Sequence, residues 1–163
     1  MEFSVTGSSI DIIQELSAVL TPEQVAVDPA SLETYGQDWT RFTPPAPTAI
    51  VFPRDTADVV AVVECARRCQ FALVPSGGRT GLSGGACAAN GEIVVSMDKM
   101  NAISPVNLTD RTVTVGAGAI TQNVQQAARD ADLFYPVDFA SSGSSQIGGN
   151  IATNAGAPCY FTP

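Results

Sequence analysis

Val74-Pro75-Ser76-Gly77-Gly78-Arg79-Thr80-Gly81-Leu82-Ser83-Gly84-Gly85 carries five glycines in twelve residues. An ordered glycine loses more backbone entropy than any other residue, so a folded chain keeps such a run only where its freedom is used. What precedes the loop gives it a place. Ala49-Ile50-Val51-Phe52 reads as a buried strand. Thr56 to Cys69 follows as a helix with Val59, Val60, Val62 and Val63 inward, and Phe71 to Val74 is the next strand. Asp58 in the first turn of that helix and Arg67-Arg68 in its last suit the helix dipole. Strand, helix and strand with short links make a βαβ unit with an expected right-handed crossover. In parallel α/β layers ligands bind at the carboxyl ends of strands, and the loop starts at such an end.

Glycines at 77, 78, 81, 84 and 85 can turn several amide N–H groups toward one point, a nest suited to a pyrophosphate. The alternative is a glycine-rich surface turn, and the strand in front of the loop favours the nest. The Gly-Lys-Ser/Thr ending of a nucleoside-triphosphate loop is absent. Gly116-Ala117-Gly118-Ala119-Ile120-Thr121 imitates a dinucleotide fingerprint, but Thr121 stands at the third glycine and the strand before it reads as half of a hairpin. A second cluster, Gly143-Ser144-Ser145-Gln146-Ile147-Gly148-Gly149-Asn150, continues through Ile151-Ala152-Thr153-Asn154-Ala155-Gly156. Its small residues suit either tight packing or the close approach of a backbone to a flat ligand. Ser144, Asn150, Thr153 and Asn154 add donors and acceptors.

The rest of the chain bounds the function classes. Its 163 residues suffice for one ordinary domain, and 45% hydrophobic against 15% charged is a globular composition. Sixteen acidic and eight basic side chains give a net charge of -8, which argues against nucleic acid or an anionic membrane as partner. The start, MEFSVTGSSIDII, lacks the charged beginning and apolar run of a signal peptide, and no apolar run spans a bilayer, so a cytoplasmic setting is expected. Cys65 and Cys69 lie four apart in a helical pattern, with Cys87 and Cys159 elsewhere. With no histidine in the chain to complete a mixed site, thiols rather than a metal centre are expected.

Ser9 to Leu20 reads as a capped amphipathic helix, Val25 to Val27 as a short strand, and Asp28-Pro29 as the cap and first-turn proline of a helix to Tyr35. Asp38 to Pro47 is an extended connection, in which Asp38 and Arg41 are expected as a surface pair and Tyr35 and Trp39 as packed aromatics. Glu92 to Met97 makes a third strand. Ile103 to Leu108 and Arg111 to Val115 make two more around Thr109-Asp110, and Ile120 to Asp132 a helix.

Pro75-x-Gly77-Gly78-x-Thr80-Gly81-x-x-Gly84-Gly85, then Pro136-x-Asp138, then Gly143-Ser144 running into Ile147-Gly148-Gly149-Asn150-Ile151-Ala152-Thr153-Asn154-Ala155-Gly156 form an ordered set. It resembles the FAD-binding oxidoreductases of the vanillyl-alcohol oxidase / p-cresol methylhydroxylase fold. Within them it is similar to the branch that holds the GlcD-type glycolate oxidases, D-lactate dehydrogenases and D-2-hydroxyglutarate dehydrogenases. The resemblance runs from Tyr35 to Gly156 and implies an α+β fold, a small βαβ subdomain followed by a mixed or antiparallel sheet with helices. It implies a helical segment and connection over 1–47 and an FAD-binding domain over 48–163, incomplete at its C-terminus.

By that resemblance Ser76, Gly77, Gly78, Arg79, Thr80 and Gly81 wrap the FAD pyrophosphate with Gly85 just behind. Pro136 and Asp138 lead into the second contact segment, and Gly143, Ser144, Ile147, Gly148, Gly149, Asn150 and Thr153 line the pyrophosphate, ribityl chain and ring. Relatives that attach FAD covalently carry a histidine near the first loop, so noncovalent FAD is expected in this histidine-free chain. The implied activity is oxidation of a D-2-hydroxy acid. The chain stops at Pro163, before the family's last flavin-domain strands and substrate domain, and no acid sits in either glycine cluster. The expectation is therefore the cofactor-holding part of a dehydrogenase, inactive alone and prone to self-association through an incomplete sheet. The alternative is a noncatalytic truncated product or one component of a split flavoenzyme.

Overall fold

The structure is a computed structural model that describes residues 9–158. The side chain of Ser9, expected as a cap, and Cys159 lie outside the described residues.

Local signals set the first elements. Helix α1 spans Ser9–Val19, strand β1 Val25–Ala26 and helix α2 Pro29–Tyr35. The Asp28 carboxylate accepts from the Ser31 amide at 2.9 Å, so the cap and first-turn proline start α2 where the sequence places it. Strand β2 is Ala49–Val51 and helix α3 is Thr56–Cys69, capped by Asp55, which accepts from the Asp58 amide. At its far end Gln70 takes a left-handed turn (φ 58°), and the Phe71 amide donates back to Ala66 at 3.2 Å. That closing turn uses up Phe71, so strand β3 begins at Leu73 and runs to Ser76, two residues later than the β-forming run suggests.

Strand β4, Ile93–Ser96, is inserted between β2 and β3 to give the order β1-β2-β4-β3. Strand β4 pairs in parallel with both β2 and β3, and β1 lies antiparallel on β2. The expected βαβ unit is thus present with one strand placed in its gap. Because β4 has a neighbour on each side and layers on both faces, all four of its residues are buried. Side chains alternate between those faces. Ala49, Val51, Ile93 and Val95 join Ile12 and Leu16 of α1 and Val62, Cys65 and Ala66 of α3, whereas Ile50 and Val94 pack with Ala88, Leu32, Tyr35 and Phe52.

One expectation for α3 fails. Val60 and Val63 are about half exposed, because a helix lying on a sheet buries a single stripe, here Val62, Cys65 and Ala66. Residues 103–115 form a hairpin of isolated pairings, Ile103 with Val115 and Asn107 with Thr112, rather than two full strands. Pro105 has no N–H to donate and breaks the ladder there.

Helix α4, Thr121–Asp130, strand β5, Val137–Asp138, helix α5, Ile147–Ala152, and strand β6, Ala157–Pro158, complete the described chain. Ala119, Val124 and Ile147 form a separate apolar cluster under the hairpin. Among the described residues no helix is long and apolar enough to cross a membrane.

Candidate functional site

Ser76 and Ser96 are paired neighbours at the carboxyl ends of β3 and β4. Beyond them the chain diverges, into the glycine loop 77–85 on one side and the turn Met97–Asn101 on the other. The second glycine cluster closes over both. A Cβ at Gly78 would overlap the Ser144 carbonyl oxygen, and one at Gly77 would stand 3.5 Å from Gln146 Oε1 and 3.8 Å from Gly149 Cα. Two segments more than sixty residues apart in sequence therefore meet where the motif reading needs them to meet.

Between them lies an open cleft of about 580 Å³, lined by Gly78, Arg79, Asp98, Asn101, Ser144 and Gln146 together with the approach to α4. Arg79 takes a left-handed backbone conformation (φ 56°), and its Nη1 donates to the Gly77 carbonyl at 3.0 Å. Its Nη2 lies 3.5 Å from Asp98 Oδ2, and its guanidinium carbon lies 4.4 Å from the centre of the Tyr35 ring. Asp98 Oδ1 in turn accepts from Gln146 Nε2 at 2.6 Å. Burial first, then the Asp98 carboxylate, push the Tyr35 phenol above its ordinary range. Tyr35 also packs edge-on against Phe52 at 5.0 Å, whereas Trp39 stands 67% exposed.

Among the described residues, the backbone N–H groups of Gly77, Gly78, Arg79, Thr80 and Gly81 meet no acceptor. Unpaired loop amides beside a cleft are ready donors for an anion. Two buried oxygens there, Ser76 Oγ and Gln146 Oε1, also have no partner. The outer part of the loop is fixed by Asp38, which is 3% exposed. Its carboxylate accepts from the Gly84 amide at 2.7 Å, the Thr40 amide at 2.9 Å and the Thr40 hydroxyl at 2.6 Å. Burial raises its pKa, but those hydrogen bonds outweigh burial and hold the carboxyl below its ordinary value. Asp38 is thus a buried anchor rather than the surface partner of Arg41.

The second cluster is built differently. The amides of Ser144 and Ser145 donate to Ser141, Ile147 to Ala119, Gly148 to Ala117 and Asn150 to Gln146. Ile147 is buried in the apolar cluster, and a Cβ at Gly148 would press on Ala117. Asn150 Nδ2 donates to Thr121 Oγ1 at 2.7 Å, and that hydroxyl lies 2.9 Å from Ser145 Oγ. Gly149 alone in this cluster faces open space, with nothing within 4 Å of a Cβ there. The Thr153 hydroxyl turns back to the Gly149 carbonyl at 2.8 Å.

The remaining expected residues sit outside the cleft wall. Gly143 is exposed beside Gln122, and Gly81 and Gly85 lie on the open outer part of the loop. Pro136 and Asp138 are exposed at β5, where Asp138 accepts from Gln125 Nε2 at 3.2 Å. Asp98 and Gln146 join the site without being part of the expected set. Asp98 follows β4 as the glycine loop follows β3, so the carboxyl-end rule applied to every parallel strand reaches it. Gly116 and Gly118 are explained by contact, since a Cβ at either would overlap a carbonyl oxygen of the Met97–Met100 turn.

The donors, acceptors and close approaches fit a ligand that carries a diphosphate and hydroxyl groups. Residues 47–163 match the family described as FAD binding domain. The chain is 56% identical over 145 residues to the D-2-hydroxyglutarate dehydrogenase of Stutzerimonas stutzeri, covering 89% of this chain and 31% of that one. It is 33% identical to glycolate oxidase subunit GlcD of Bacillus subtilis, covering 90% of this chain and 31% of that one. The chain thus spans about a third of the length of these curated relatives. Among solved structures, alkyldihydroxyacetonephosphate synthase superposes with a TM-score of 0.80 at 21% identity, over 90% of this chain and 32% of the other. p-Cresol methylhydroxylase gives 0.76 at 20%, over 91% and 30%. At that identity both likenesses show the fold alone.

Proposed function

The chain belongs to the FAD-binding domain family, and from that premise we propose that it is the cofactor-holding part of a flavoenzyme that oxidises a D-2-hydroxy acid. The observation that carries the reading is the contact of Gly77 and Gly78 with the Ser144–Gly149 segment beside five unpaired loop amides. In this reading the amides of Gly77 to Gly81 hold the diphosphate. Gly149 leaves room for a flat group, and Gln146 and Ser144 face its hydroxyl-bearing chain. FAD, when bound, takes up the hydride equivalent removed from the alcohol carbon of the substrate. This chain's share is to bind and orient that group.

Noncovalent attachment is the favoured mode, because the sequence holds no histidine and Cys87 lies among the Asp38 supports of the outer loop. The cofactor unit is taken as residues 48–163, with Tyr35 and Asp38 bracing it from the preceding segment. The substrate class comes from the names of the relatives, with D-2-hydroxyglutarate first. A cytoplasmic setting and self-association through the sheet edge belong to the same proposal.

The test is retention of FAD by the purified chain. A yellow protein near one flavin per chain, with all flavin released by acid, supports noncovalent binding. A chain that stays colourless after incubation with FAD overturns the reading. Anaerobic bleaching of retained flavin by D-2-hydroxyglutarate, D-lactate or glycolate would rank the substrates.

A further inference from the structure

A site for a diphosphate ordinarily gains from a cation, because a guanidinium pairs with phosphate oxygens through parallel hydrogen bonds. Of the described residues lining this cleft, Arg79 alone carries a positive charge and Asp98 alone a negative one. Arg79 is not free to act as that cation. Its guanidinium is shared among Asp98 at 3.5 Å, the Gly77 carbonyl at 3.0 Å and the Tyr35 ring at 4.4 Å. Asp98 is held against it from the other side by Gln146 at 2.6 Å. The two charged side chains are 22% and 24% exposed, so water screens them only in part.

We propose that Asp98 is a specificity-determining counter-charge, which cancels Arg79 so that the cleft reads its diphosphate through the neutral amides of Gly77–Gly81. The proposal rests on the reading that a diphosphate lies on this loop, and it adds what the site refuses. An uncancelled guanidinium would attract any small anion. A neutral amide nest selects by shape, and holds a diphosphate whose two flanking groups also find their places. Asp98 further ties the two glycine segments together, since Arg79 belongs to the first and Gln146 to the second.

Charge and structure can be separated by sign. Asp98→Asn removes the charge but keeps an oxygen to accept from Gln146, which leaves Arg79 uncompensated. Arg79→Gln leaves the carboxylate uncompensated. A unit charge several ångströms from the ligand in a medium of effective dielectric about 20 to 40 changes affinity on the order of fivefold. The experiment is calorimetric titration of the full chain and its variants with inorganic pyrophosphate and, separately, with FAD, at low and high salt.

The expected results are tighter pyrophosphate binding by about fivefold in Asp98→Asn, with a steeper salt dependence. Arg79→Gln should be weaker by a similar factor, and the double variant should return to the starting affinity. If Asp98→Asn does not fold, Asp98→Ser must show the same sign. A purely structural clamp would weaken binding in both single variants, and that result, or unchanged affinity in Asp98→Asn, overturns the proposal. A wild-type chain that binds no FAD overturns the cofactor reading, while the pyrophosphate cycle still reads the charge pair on its own.

Discussion

Loop 77–85 and segment 143–156 are both glycine-rich and touch at Gly78 and Ser144, but their backbones are used differently. In the first, consecutive amides from Gly77 to Gly81 have no acceptor among the described residues, and Gly84 and Gly85 have no neighbour within reach of a Cβ. In the second, the amides of Ser144, Ser145, Ile147, Gly148 and Asn150 are all bonded within the chain, and Gly148 is pressed on Ala117. Glycine in one region leaves donors exposed for a ligand, and in the other it lets backbone pack on backbone. A substitution in the first loop should therefore act mainly on binding, and one in the second mainly on stability. Gly78 and Gly149 are the crossing points, one packed in the open loop and one open in the packed segment.

The largest effect is expected at Gly78. A valine there would drive its side chain into the Ser144 carbonyl and the Ser145 Cα, 2.9 Å away, and force the two segments apart. Overpacking of this kind costs roughly 1–3 kcal/mol or more, and the parts of the cleft no longer face one another. FAD binding by Gly78→Val should be lost in a flavin-fluorescence titration, with a lowered melting temperature. Retained affinity would remove this contact from the site.

Next is Asn150→Leu, the test of the packed segment. It removes the partner of Thr121 Oγ1 in a fully buried cluster with Ser145. Leaving buried hydroxyls short of a partner costs about 1–3 kcal/mol, which lowers the melting temperature of a chain this size by several degrees. The comparison predicts that FAD affinity measured well below that temperature changes little. A large loss of affinity with no change in melting would show that Asn150 serves the ligand directly.

Asp38 sharpens the comparison from the other side, because it supports the open loop from outside the cleft. Its carboxyl is held below its ordinary pKa when folded. Its contribution is therefore complete above the unfolded carboxylate range and is lost as pH falls through the lowered value. In Asp38→Asn that part of the acid destabilisation should vanish, giving a shallower fall in stability below about pH 5, read from denaturant midpoints across pH. The same acid limb in both proteins would show that the Gly84 and Thr40 bonds contribute nothing in solution.

Much of this architecture can be read along the chain. Asp28-Pro29 starts α2, Asp55 starts α3, and the apolar run Ile93-Val94-Val95 becomes the central strand with both faces covered. Those features rest on local chemistry or on simple periodicity. What escapes such a reading depends on partners distant in sequence. The inward face of α3 excludes Val60 and Val63, and a run of valines does not say which side meets the sheet. Gln146 stands inside the second motif without any local sign that its amide meets Asp98, 48 residues away. Asp38 reads as a surface acid until the loop folds over it and Gly84 bonds to it.

The smallest expected change in stability, and the most discriminating in binding, is at Gly149. It sits inside the short helix α5, where a Cβ would have nothing within 4 Å. Alanine loses less backbone entropy than glycine in a helix, so Gly149→Ala should gain about 0.5–1 kcal/mol of stability if that space is merely solvent. The same methyl would enter the space where the proposed reading puts the flat part of the cofactor. The expected outcome is an unchanged or slightly raised melting temperature together with FAD affinity weakened by tenfold or more. Affinity held at the wild-type level in a stabilised variant would mean that the ligand does not approach α5. The segment 143–156 would then be packing throughout, and recognition would rest on the first loop and its Arg79–Asp98 rim.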